Sequence, residues 1–217
     1  MQIINIIIGM RTILYFLQKV KNKLGNKFLP KYFTWIAKLK FYSMGIKYGK
    51  GLYVDGKIVI SLNKGQISIG ENVKIRSRYK GNLAGMTNPA TFQILPGGRV
   101  ILGDGTGMSS TVFSSRKLIM TGKNVMIGAN VRIFDHDFHS MNYLDRRPGG
   151  QDYLNAGIAE VIIDDDVFIG TNSIILKGVH IGKGSVIGAG SVVSIKEIPP
   201  FSVLAGNPAS IVRQLNS

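Results

Sequence analysis

Between Ile133 and Val161 the chain reads FDHDFHSMNYLDRRPGGQDYLNAGIAE, a stretch that holds two of its three histidines, His136 and His139. Asp135 and Asp137 stand on either side of His136. A histidine beside a carboxylate suits proton abstraction from a hydroxyl near neutral pH, because the acid orients the ring and stabilises the imidazolium that forms. Tyr143, Arg146, Arg147 and Tyr153 follow in the same stretch. The arginines suit an anionic ligand or a solvated loop face; the tyrosines suit stacking on a ligand ring or packing on a neighbour. With no cysteine, a thiolate nucleophile, a cysteine-ligated metal and a disulfide framework are all excluded. A three-histidine zinc site is disfavoured, since His136 and His139 lie on one irregular loop and His180 would be the sole remaining ligand.

A loop this long inside a compact domain is usually functional or disordered, so the elements that hold it matter. On its C-terminal side they are hexads: IDDDVF IGTNSI ILKGVH IGKGSV IGAGSV V, from Ile163 to Val193. An aliphatic residue returns at Ile163, Ile169, Ile175, Ile181, Ile187 and Val193. Asp166, Asn172, Gly178, Gly184 and Gly190 recur at one phase, and these are the types that tolerate a left-handed backbone. The pattern is a short strand, a tight corner and another short strand. Three sides close one coil, so Ile163 is expected under Ile181, Ile169 under Ile187 and Ile175 under Val193, about 4.8 Å apart. The fold class read from this is all-β, a parallel β-helix with an aliphatic axis; IGENVK from Ile69 and TGKNVM IGANVR from Thr121 extend it toward the N-terminus.

The rest of the chain divides around that prism. The domain proper is expected over 51–217, with loop excursions at 79–99 and 134–160 and a short C-terminal helix starting near Pro208. Residues 1–50 carry ten of the 27 Lys and Arg and no acid, within a net charge of +15. Ile3, Ile6, Ile7, Met10, Ile13, Leu14, Leu17 and Val20 fall at helical spacing there. The pattern fits neither a cleaved leader nor a spanning helix, since Arg11 interrupts the apolar run. It reads as an amphipathic helix that either binds an anionic bilayer from the cytoplasmic side or packs on the prism or on a neighbouring subunit. Nucleic acid is not an expected partner, because no recognised module accompanies the charge.

The hexads, the DHDFH loop and the ending VFIGTNSIILKGVHIGKGSVIGAGSVVS with IPPFSVLAGNPA resemble the hexapeptide-repeat acyltransferases. The most similar branch is the maltose and galactoside O-acetyltransferase group and its relatives that acetylate capsule and lipopolysaccharide sugars. The resemblance covers roughly 51–213. It implies a left-handed coil, a homotrimer with clefts between prisms, acetyl-CoA as donor without a metal, and a sugar or glycan acceptor. It further implies that His136 is the base and His139 an acceptor contact. Phe168, Gly170, Thr171, Gly188, Ala189, Lys196 and Arg213 would lie along the cofactor. Phe168 replaces a common Trp, one extra residue separates Ser194 from Lys196, and Ser210 stands where a basic residue is common. A β-helical metalloenzyme of the carbonic-anhydrase type and a non-catalytic structural β-helix are the competing readings.

Overall fold

The computed structural model describes residues 2–79 and 84–216. One long helix, Gln2–Ser43 (α1), leads into short parallel strands that visit three sheets in rotation. Sheet A includes Gln66–Ile69, Arg99–Leu102, Ile119–Thr121, Val161–Ile163 and His180–Ile181. Sheet B includes Lys74–Arg76, Met126–Ala129, Phe168–Ile169 and Val186–Ile187. Sheet C includes Ala90–Ile94, Val112–Ser115, Arg132–Phe134, Ile174–Ile175 and Val192–Val193. Within the stacked coils each strand pairs in parallel with strands three positions away in the chain order, which is the topology of a parallel β-helix.

The register is the one that the hexads dictate: Ile163 pairs with Ile181, Ile169 with Ile187 and Ile175 with Val193. These six side chains are at most 1% exposed. A coil cannot bury its aliphatic corner alone; stacking does so, at roughly 1.5–3 kcal/mol per Ile or Val. Asn124, Asn130, Asp166 and Asn172 turn the corners at φ of 55 to 61°, a conformation that Asn and Asp adopt at low cost because their short side chains bond locally.

The boundaries differ from expectation in three places. The coil begins at Lys47–Tyr48, which pairs with Ser68–Ile69, because Gly45 at φ 66° ends α1 and drops the chain directly into sheet A. The excursion expected over 79–99 is shorter: Ala90–Ile94 and Arg99–Leu102 are strands of sheets C and A, and Pro96-Gly97-Gly98 is an ordinary corner. Polar Gln93 in the first of these strands hides the register. Residues 80–83 lie outside those described.

The third difference is the C-terminus, where no helix starts at Pro208. Ser202–Gly206 and Ala209–Gln214 instead form an antiparallel hairpin turning at Asn207-Pro208. β-Branched Ile211 and Val212 favour the strand, Pro208 sits in the turn where it has no ladder bond to lose, and the second strand covers an edge of the last coil.

Helix α1 lies on the first coil through Pro30, Thr34, Ala37 and Phe41. Thr34 Oγ1 donates to the Val54 carbonyl at 3.1 Å and accepts from the Val54 N–H at 2.9 Å; Phe41 is 1% exposed. The side chains of the apolar series from Ile3 to Val20 lie outside the described residues, although the helix itself runs through them.

Candidate functional site

Every strand of sheet C ends at the corner that leads to sheet A. At most levels that corner is a few residues, as at Leu176–Val179, but after Phe134 the chain departs and returns only at Val161. The base of this loop is clamped like a short ladder. His136 bridges Ile158, the Ala159 N–H donates to the Asp135 carbonyl at 2.9 Å, and the Asp137 N–H to the Gly157 carbonyl at 2.8 Å. His136 is therefore held by backbone, and it is 4% exposed.

The His136 ring is wired at both nitrogens. Nδ1 lies 2.8 Å from the Asp137 carbonyl oxygen, which can only accept, so Nδ1 carries the proton. Nε2 lies 2.9 Å from Ser114 Oγ, and Ser114 Oγ lies 2.9 Å from Gln93 Oε1. Gln93, Ser114 and Phe134 are successive rungs on the outer face of sheet C. The single hydroxyl proton of Ser114 has two acceptors while the ring is neutral. Once Nε2 is protonated, the chain from ring to Ser114 to Gln93 is satisfied throughout. Phe138 closes over the imidazole at 4.7 Å between ring centroids.

The flanking carboxylates do different work from that expected of them, and neither touches the ring. Fully buried Asp135 accepts from Ser115 Oγ at 2.6 Å and from the N–H groups of Arg116 and Lys117 at 2.8 and 2.9 Å. It fastens the loop to the coil below. Asp137 pairs with Lys177 of the coil above at 2.8 Å. A peptide carbonyl orients the histidine in their place, because the clamp turns both acids toward neighbouring coils.

In this loop it is His139 that has a carboxylate partner: Nδ1 lies 2.6 Å from Asp152 Oδ2, and Asp152 Oδ1 accepts from the Ser140 N–H at 2.6 Å. The bond from His139, then that from Ser140, hold the Asp152 carboxyl below its ordinary range. Arg146 donates to the Ser140 carbonyl, the Arg147 guanidinium lies 5.0 Å over the Tyr143 ring, and Arg116 lies 3.7 Å over the ring of Tyr153. Much of the loop's polar surface thus holds the loop together. His180 stands elsewhere, on sheet A between Asp164 at 3.1 Å and Glu197 at 3.2 Å. Burial lowers its pKa, and the two carboxylates more than reverse this, leaving it raised. Among the described residues no three His, Cys, Asp or Glu side chains group to hold a metal.

The remaining residues fall on other parts of the prism. Lys196 shares the C-to-A corner with the His136 loop, whereas Gly170, Thr171, Gly188 and Ala189 occupy the opposite edge of sheet C, at its corner with sheet B. Phe168 is 43% exposed on sheet B, and Arg213 lies at the hairpin edge of that sheet. The glycine corner is built by contact: a Cβ on Gly170 would stand 2.5 Å from the Ala189 nitrogen. The Gly170 N–H is taken by the Ile187 carbonyl at 2.7 Å, so it is not free for a ligand. Among the described residues the N–H groups of Thr171 and Ala189, one coil apart, donate no hydrogen bond. Ser114, Gln93, Lys177 and Asp152 escaped the sequence reading. The adjacent serines in TVFSSR, where other coils carry aliphatic residues, were the available signal for the first.

Residues 160–194 match the family described as the hexapeptide repeat of succinyl-transferase. A Schizosaccharomyces pombe protein named, provisionally, as an acetyltransferase is 40% identical over 46% of this chain and 45% of its own length. A 2,3,4,5-tetrahydropyridine-2,6-dicarboxylate N-acetyltransferase of Staphylococcus aureus is 34% identical over 43% of this chain and 32% of its own. The chain thus spans less than half the length of these curated relatives. Among solved structures, a hexapeptide-repeat acetyltransferase from Vibrio cholerae complexed with acetyl-CoA is 31% identical, with TM-score 0.51, over 58% of this chain and 66% of that one. AntD, an N-acyltransferase from Bacillus cereus in complex with dTDP and 3-hydroxybutyryl-CoA, shares the fold at TM-score 0.61 and 20% identity, over 82% of this chain and 88% of that one.

Proposed function

We propose that the protein is an acetyl-CoA-dependent O-acetyltransferase acting on a sugar hydroxyl of a bacterial surface polysaccharide or its precursor, with His136 as general base. The observation that carries this is the wiring of His136: Nδ1–H is committed to a backbone carbonyl, so the Nε2 lone pair is the one available for a proton. An acceptor hydroxyl displaces Ser114 from Nε2, gives up its proton there and attacks the thioester carbonyl. The C–S bond then breaks, and the imidazolium returns the proton to the departing thiolate. Asp135, Asp137, Ser114 and Gln93 position the base. His139, Tyr143, Arg146 and Arg147 line the acceptor side.

Phe168, Gly170, Thr171, Gly188, Ala189, Lys196 and Arg213 are proposed to bind the cofactor, with the Thr171 and Ala189 N–H groups facing its arm. The His136 loop and the glycine corner occupy opposite edges of sheet C. One copy therefore cannot bring base and donor together, and the cleft is proposed to form between copies in a homotrimer. A left-handed coil belongs to the same reading, as does a place at the cytoplasmic side of a membrane, where acyl-CoA is available.

Incubation with acetyl-CoA and a panel of surface glycans, followed by mass spectrometry, tests the proposal. An added acetyl ester on a sugar, dependent on His136 and indifferent to chelators, is the expected result. Zinc-dependent activity, or no product and no CoA binding, would overturn it. The N-acetyltransferase named among the relatives makes an amine the competing acceptor; transfer to amines alone would correct the acceptor chemistry.

A further inference from the structure

Helix α1 has two unlike faces. At about 100° per residue, Pro30, Thr34, Ala37 and Phe41 share one arc, and this arc rests on the prism: Ala37 and Phe41 are 6% and 1% exposed. Leu24, Phe28, Tyr32, Trp35, Leu39 and Tyr42 share a second arc, centred about 150° away. These side chains are between 49% and 85% exposed, although all are large and apolar or aromatic. A contiguous exposed stripe of this kind marks a surface that something else covers.

Two occupants fit an apolar helix face: a second copy of the helix or a bilayer. Charge separates them. Lys31 and Lys38 flank the stripe, and residues 1–50 contain ten basic residues and no acid. A second copy brings only the same positive charge to the seam, with no carboxylate to answer it. An anionic lipid surface supplies the missing charge, and Trp and Tyr at the stripe favour the bilayer interface. Lys31, Thr34, Trp35 and Lys38 also line a groove of about 480 Å³ between α1 and the first coil, with Leu52 and Tyr53 on its floor; it is a place for a lipid phosphate beside the stripe. No helix among the described residues is long and apolar enough to cross a membrane.

We propose that α1 lies flat on an anionic bilayer through the Leu24, Phe28, Tyr32, Trp35, Leu39 and Tyr42 stripe, with lipid phosphates against Lys31 and Lys38, so that the prism is held with its first coil toward the membrane. This deepens the cellular placement in the proposed function and uses no turnover as a readout.

Sedimentation of the full chain with phosphatidylcholine vesicles, with and without phosphatidylserine, tests the proposal. Strong binding only to the anionic vesicles is expected, weakening as salt rises. Trp35→Ser with Leu39→Ser should lower partitioning on the order of tenfold or more, and Lys31→Glu with Lys38→Glu by a similar factor. Both pairs lie on exposed positions, so an unchanged melting temperature is expected, and Met141→Ser on the distant loop should bind as wild type. Equal binding to neutral vesicles, or no loss in the stripe variant, would overturn the proposal. So would a stripe variant that changes oligomeric size instead of lipid binding, which would assign the face to a second copy.

Discussion

The two edges of sheet C are built from the same repeat and have opposite characters. At the corner with sheet B the levels from Asn130 onward turn in a few residues, through Asn130, Asn172 and Gly190, and they pack so closely that Gly170 has no room for a Cβ beside Ala189. Such a corner offers little side-chain chemistry; what it exposes is backbone, the N–H groups of Thr171 and Ala189. At the corner with sheet A one level is opened by the 135–160 loop, and there histidines, carboxylates, arginines and tyrosines gather. Tight repetition makes a straight rail of backbone, and one interruption of it makes room for a cluster of polar side chains. The proposed chemistry needs both, which is why a second prism is part of the proposal.

The comparison breaks first if the rail itself is damaged. Ile181→Asp places an unpaired carboxylate between Ile163 and Ile198 on the axis, at a cost of about 3–5 kcal/mol. The variant should be unfolded or melt far below wild type, as circular dichroism would record; a near-normal melt would contradict the axial role. Next is the interrupted corner. His136→Ala should lower acetyl transfer by roughly 10²–10⁴ while leaving CoA binding by calorimetry almost unchanged, since most of the proposed cofactor residues lie at the opposite edge. Equal loss of CoA affinity would merge the two edges into one site.

Asp135→Ala sharpens the distinction between a proton carrier and a fastener. It strips the Ser115 hydroxyl and two N–H groups of their buried partner, so a destabilisation of about 2–3 kcal/mol is expected, together with an activity loss that tracks loop order. A variant as stable as wild type but inactive would return Asp135 to the chemistry. Asp152→Asn should be milder. The lowered Asp152 carboxyl contributes stability that is present above the ordinary carboxylate range and is lost as pH falls through its depressed value. The variant should therefore lack that part of the acid dependence, and acceptor KM should rise more than kcat falls.

The smallest effect is expected on sheet A, away from both edges. The raised His180 contributes stability that is fully present below the ordinary imidazole value and fades as pH rises through the elevated one. Thermal melts above that value should decline slightly in wild type and not in His180→Gln, by little because the pair of carboxylates is solvent-screened.

The axial register, the Asn, Asp and Gly corners and the position of the interrupting loop were all legible in the residues. Each is enforced by a local rule repeated at a constant interval, and a one-residue slip would turn aliphatic side chains outward. The C-terminal hairpin was not legible: Pro208 is as welcome in a turn as in a first helical turn, and the edge of the last coil decides between them. The start at Lys47 depended on where Gly45 stops a helix, and the strand at Ala90–Ile94 was hidden by Gln93.

By itself, then, the sequence determined which residues form the axis and which loop holds the histidines, because those depend on neighbours six residues away. Only the tertiary structure decided what each histidine touches. His136 meets a carbonyl and Ser114, a residue one coil below, His139 rather than His136 meets a carboxylate, and Asp135 and Asp137 bind the coils on either side. These contacts join residues between one and forty positions apart. Where they fall depends on how the loop is clamped against the stacked coils, and no adjacency in the chain encodes that.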